Sequence, residues 1–203
     1  MTHALRTGIL CSLVVTLLLS STARTAQKDD KPLTEKDLEK LWEEMASDDA
    51  AKAFQAMVRM ANSSKESTTF LKSKVKPVQP VDPKVLTGLL DGLDDTQYQV
   101  RQKASAELEK LADLAAAGLR SRLDAKPSLE TRKRIEALLD KLDGPVTQPD
   151  LLRNLRAVEL LELIGTAESC DVLRPIAKGA EGHRVTEAAQ GSVKRLDKRL
   201  KQK

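Results

Sequence analysis

The chain has 203 residues, with 34 Lys and Arg against 30 Asp and Glu, for a formal net charge of +4. Charged residues at 32% and hydrophobic ones at 40%, well mixed, exclude an acidic disordered tail and a membrane bundle; the length suits one domain, or one with a smaller helical subdomain. Aromatics are limited to Trp42, Phe54, Phe70 and Tyr98, so a core must come from Leu, Ala, Val, Ile and Met, which favours helix on helix over a β-sandwich.

The first segment reads as a secretory signal, residues 1–23. Arg6 supplies a positive start, residues 8–19 form an apolar run too short to span a bilayer, and Ser21 and Ala23 are small residues at a cleavage site. Removing it would leave 33 bases against 30 acids, or +3, and Cys170 as the lone cysteine, so stability must come from packing rather than a disulfide. Export to the periplasm or cell envelope is the expected address.

A polar, flexible arm follows at 24–33, then an N-terminal helical subdomain at 34–75. Thr34 and Asp37 resemble a capping box, and Leu38, Leu41, Trp42 and Met45 recur at helical spacing. Ser47, Asp48 and Asp49 break that helix and can cap a second, whose apolar face is expected to carry Ala50, Ala53, Phe54, Met57, Val58 and Ala61. A shorter helix near 65–74 places Phe70 and Leu71 inward. Residues 76–83 hold Pro77, Pro80 and Pro83, which favour a stiff extended connector. Helical patterns then fill 84–203, with approximate spans 83–93, 96–112, 113–125, 128–142, 149–164, 167–178 and 184–200. Gly144, Pro145 and Gly165 fit helix stops, while Ser128 and Thr166 fit starts.

A triplet spaced four then three recurs in this part: Ala104, Leu108 and Leu111; Ile135, Leu139 and Leu142; Ala157, Leu161 and Ile164; Ala189, Val193 and Leu196. Ala53, Met57 and Met60 make an earlier copy. Each triplet lies on one helical stripe, and the often small first residue lets a neighbouring helix approach. A single hairpin cannot bury such a stripe, whereas stacked hairpins can, so the expected fold is an all-α solenoid.

The strongest unit runs from Asp95 through Val100 and Arg101 to Ala104, Leu108 and Leu111, and here the chain resembles the HEAT-repeat family. The resemblance implies a ladder role for Asp95 and Arg101 between stacked repeats. Other copies depart from it, with Thr131-Arg132 in one and Thr186 in another where arginine would fall. From about Leu33 to Leu196 the chain also looks like the helical region that follows the propeller in large WD-repeat proteins of planctomycete-type bacteria. That likeness rests on Leu41-Trp42, Asp49-Ala50-Ala51-Lys52-Ala53, Lys76-Pro77-Val78, Pro127-Ser128-Leu129-Glu130, Leu142-Asp143-Gly144-Pro145-Val146 and Arg156-Ala157-Val158-Glu159. Here a signal-like segment stands before it in place of a propeller. The family implies a helical accessory module and no activity.

Catalytic constellations are not expected. His183 and Cys170 would have to act together, but one reads as a turn residue and the other as a packed thiol. The acid pairs at Asp48-Asp49 and Asp94-Asp95 sit where capping explains them. One cysteine and one histidine make no zinc cluster, and neither metal nor cofactor is expected. Arg120, Arg122, Arg132, Lys133, Arg134 and the Lys and Arg residues of the C-terminal helix could form a positive stripe, but acids are interspersed and aromatics for stacking are missing, so nucleic acid is not the expected partner. The expectation is a non-enzymatic scaffold binding an unidentified protein. The alternative is a structural envelope component that attaches to anionic membrane or wall surfaces through Lys194, Arg195, Lys198 and Arg199 of the basic last helix.

Overall fold

A computed structural model describes residues 32–202. The expected signal segment, and the arm up to Lys31, lie outside the described residues. Within them the chain is all-helical, without a strand: α1(Glu35–Glu44), α2(Ala50–Asn62), α3(Ser64–Lys74), α4(Pro83–Gly92), α5(Tyr98–Leu111), α6(Asp113–Asp124), α7(Leu129–Asp143), α8(Pro149–Ile164), α9(Ala167–Ile176) and α10(Arg184–Leu200).

Local chemistry sets these boundaries. Thr34 and Asp37 close a full capping box on α1. Asp49 accepts from Ala51 and Lys52 N–H groups to start α2, and Asp82 with Pro83 at the first helical position starts α4. Ser128 caps α7, and Thr166 with Ser169 forms a second capping box on α9. Gly165, at φ +67°, ends α8 in the left-handed region that favours glycine. The turn from α5 to α6 lacks a glycine; Ala112 makes it alone at φ 47°, a strained conformation for a residue with a side chain.

The helices bury their stripes in two cores. The first joins α1–α3 to α8–α10: Met45, Met60 and Leu71 pack in one cluster with Leu160, Leu161, Leu173 and Leu196, all fully buried. The second belongs to α4–α7 and is built from Leu93, Ala104, Leu108, Ala115, Leu119, Ile135 and Leu138. In it α4 packs against α5 and α6, and α5 against α7. The grouping skips chain order, because the stripes of α1–α3 find their cover on α8 and α9, about a hundred residues on. Helix α4 is the edge of the second core. It has no buried residue, and Val85 is half exposed.

Arg156 ties the two chain ends of the first core together. It donates from α8 to the carbonyls of Met45 and Ser47, both at 2.6 Å, and so satisfies the carbonyl end of α1. The connector returns past this core: Val75 is buried, and the Val78 carbonyl accepts from Ala180 N–H at 2.8 Å. Gly179 is required there. A Cβ on it would stand 3.0 Å from Val78 N and 2.8 Å from Thr186 Oγ1. Thr186 is buried, and its hydroxyl has no partner among the described residues. Between the two cores, Arg184 on α10 donates to both carboxylate oxygens of buried Asp113 on α6, at 3.0 and 2.8 Å. A cavity of about 120 Å³ beside Leu108, Leu119, Leu138, Leu142 and Leu151 marks the imperfect seam there.

One inward face needs correction. On α2 the buried stripe is Ala53, Ala56, Met57 and Met60, whereas Phe54 is 62% and Val58 37% exposed. The six-residue face drawn from the sequence is wider than the stripe one neighbouring layer can cover. On α7 Leu138 is buried, while Leu139 is only half-buried against the same core.

These burials predict an ordering of mutant stabilities. Leu161→Ala should cost about 2–5 kcal/mol in denaturant unfolding, and Leu139→Ala markedly less. Equal costs would contradict the packing described for α7 and α8.

Candidate interaction surface

An open, largely apolar groove of about 620 Å³ lies between α2, α8 and α10. Its floor is Met57 and Val158, which are buried, with half-buried Leu155 and Ala188 beside them. Phe54 on α2 and Leu163 on α8 stand at the sides, 62% and 55% exposed. The groove follows from helix geometry. Each of the three helices spends one stripe on the first core, and the residues one position round the helix face outward together.

The wall on the α10 side is held by a charged network. Glu162 of α8 accepts from Arg195 Nε at 2.6 Å and Nη2 at 2.7 Å, and from Ser192 Oγ at 2.6 Å. The Arg195 guanidinium foremost, with the Ser192 hydroxyl, holds the Glu162 carboxyl down from 4.5 to about 2, against a partial opposing effect of burial. Arg199 donates to the Glu162 carbonyl at 2.7 Å and so caps the end of α8. Glu159, also lining the groove, is exposed and has no ion pair among the described residues.

The residues singled out in the sequence fall as follows. Ala104, Leu108, Ile135, Ala157, Leu161, Ala189 and Leu196 are buried, while Leu111, Leu139, Leu142, Ile164 and Val193 are half-buried. The Asp95 carboxylate accepts from Gln97 N–H within its own turn, and Arg101 meets the Asp95 carbonyl at 2.8 Å. The bonds from hairpin to hairpin run through neighbours. Asp94 accepts from Thr131 Oγ1 at 2.6 Å and Ser128 Oγ at 2.8 Å, and these hydroxyls hold its carboxyl below the usual range. Arg101 donates to Glu130 at 2.9 Å, and Arg134 shares that carboxylate at 2.8 Å. Both guanidiniums lie near the face of Tyr98, at 5.7 and 5.8 Å. Sequence reading missed Asp94, Ser128, Thr131, Glu130 and Arg134 in this role; the paired acids Asp94-Asp95 were the available signal.

His183 and Cys170 occupy separate surroundings. His183 Nδ1 accepts from Val185 N–H and caps α10, with Asp113, Arg184 and Glu187 as its charged neighbours. Cys170 is buried, its Sγ 3.7 Å from Asp197, and burial pushes the thiol up. Among the described residues no three His, Cys, Asp or Glu side chains are grouped to hold a metal. The 120–134 part of the expected basic stripe is largely neutralised: Arg122 pairs with Asp91 at 2.8 Å and Arg134 with Glu130 at 2.8 Å, while Arg120 and Arg132 make longer pairs with Asp143 and Glu136.

The Glu162 network has a pH signature. Its carboxyl is ionised at lower pH folded than unfolded, so its contribution to stability is complete above about 4.5 and is lost as pH falls towards 2. Glu162→Gln should therefore flatten the acid limb of a plot of melting temperature against pH over that interval. Parallel curves for the two proteins would show that the network does not contribute.

Compared with known proteins, the chain matches no family model, no curated protein and no solved structure.

Proposed function

We propose that the chain is an exported, non-enzymatic protein-binding scaffold whose hairpins stack in a HEAT-like manner, and that the groove between α2, α8 and α10 takes an amphipathic helix of a partner protein. The observation that carries this reading is the pairing of a buried apolar floor with two large, half-exposed side walls, Phe54 and Leu163. Apolar side chains left in a concave strip between helices match the groove-and-helix mode of recognition. Charge supports the same occupant. Arg195 and Arg199 line the α10 side and Glu159 the α8 side, so a helix with an acid on one flank and a base on the other is complementary.

The HEAT-like reading is supported by the placing of the α4/α5 hairpin on α6/α7, with α4 against α6 and α5 against α7, and by the bonds from Asp94 and Arg101 to the following hairpin. The likeness to the helical region of WD-repeat proteins suggests an accessory role beside another protein. Support for a non-enzymatic role is positive: His183 serves as a helix cap, Cys170 as core, and Asp49 and Asp94 as acceptors for cap and hydroxyl groups. Support for export is the charged, apolar and small-residue order of residues 1–23.

Site-specific photo-crosslinking in the envelope of the producing cell tests the groove. A photoreactive side chain in place of Phe54 or Leu163 should capture the same protein, and one in place of exposed Val85 on α4 should not. Leu163→Asp should abolish capture from position 54 without lowering the melting temperature. Equal capture from all three positions, or an adduct with the mass of two copies of this chain, would overturn the reading.

A further inference from the structure

Helix α10 turns a second face outward, away from the groove. Lys194, Lys198 and Lys201 follow one another at four and three residues on that face. They span about 10 Å at 1.5 Å per residue. With Ala177, Gln190 and Val193 they line a shallow, open cleft between α9 and α10. All three are exposed, and none has an ion pair among the described residues. The one acid lining the cleft, Asp197, is engaged by Arg174 at 2.7 Å and by the Cys170 thiol. The carbonyl end of α10 offsets only about half a positive charge, which leaves most of three uncompensated.

The helix that carries these cations is fixed in place. Leu196 between them is fully buried, Asp197 is tied to α9, and Arg195 is tied to Glu162 on α8. Their spacing is close to the screening length of about 8–10 Å at physiological salt, so they act on a facing surface as one charge cluster. Lysine ammoniums are point charges without the planar fork of arginine, which suits clustered phosphates better than one oriented carboxylate. The cleft is too open to enclose a small ligand.

We propose that this lysine face of α10 attaches the protein peripherally to an anionic bilayer surface, through the phosphates of its lipid headgroups. It leaves the groove free, so attachment and partner binding can occur together. Attachment through lysine charges is electrostatic, so added salt reverses it.

Vesicle sedimentation of the whole protein tests this. At about 0.05 M salt the protein should bind vesicles containing one-third phosphatidylglycerol and not pure phosphatidylcholine, and should be released at about 0.5 M. The triple variant Lys194→Gln, Lys198→Gln, Lys201→Gln should bind about a hundredfold more weakly. An equal charge loss elsewhere, Lys84→Gln, Lys103→Gln, Lys133→Gln, should change binding by less than about threefold. Equal losses in the two triple variants would reduce the effect to net charge and overturn the proposal. So would binding to phosphatidylcholine alone, displacement by inorganic pyrophosphate at micromolar concentration, or preference for a nucleic-acid duplex over the vesicles. Binding of wild type by vesicles with no capture at positions 54 and 163 would sustain this inference while removing the groove reading.

Discussion

The structure depends on one long-range burial: the apolar stripes of α1–α3 are hidden against α8–α10. Met45, Met60 and Leu71 are fully buried in one cluster with Leu160, Leu161 and Leu173. Each fully buried large apolar side chain contributes about 1.5–3 kcal/mol before chain entropy is charged against it. Arg156 adds direction to this otherwise non-directional contact. By meeting the carbonyls of Met45 and Ser47, 111 and 109 residues away, it fixes where the end of α1 sits along α8. A side chain that only buried apolar surface would leave that register loose.

The rest of the architecture follows from this closure. With α3 placed against α9, the connector has to pass the α9–α10 turn before α4 begins. The Val78–Ala180 hydrogen bond and the absence of a side chain at Gly179 make that passage close enough. The helices α4–α7 then form a second core with its own bonds between hairpins, and the Asp113–Arg184 pair joins it to the first. Asp113 is buried and Arg184 only partly so, an arrangement in which losing the arginine would strand a carboxylate in the interior. The outward faces are consequences too. The groove exists because α2 packs on α8, and the lysine face exists because α10 spends its other sides on α8 and α9.

Local features were legible in the sequence to an unusual depth. Thr34, Asp49, Ser128, Thr166 and Gly165 carry their boundary signals in their own chemistry, and each sits at the end it marks. The triplets found the core side of α5, α8 and α10 for the same reason, since helical period is a property of one segment. What failed were features that belong to two segments at once. Phe54 and Val58 share a stripe with Met57 on paper, and only the position of α8 decides which of them is covered. Asp94 and Asp95 are chemically equivalent neighbours, and the choice between them is made by Ser128 and Thr131 on another hairpin. The match between α1–α3 and α8–α10 is not encoded in either stripe alone.

Native-state hydrogen exchange tests that match most directly, because amides buried by one cooperative core open together. The account predicts that the slowest amides of α2 and α3 share an opening free energy with those of α8 and α10, and that Leu161→Ala lowers both by the same amount. Protection of α2 and α3 that is unchanged by Leu161→Ala, or that follows α4–α7 instead, would contradict it.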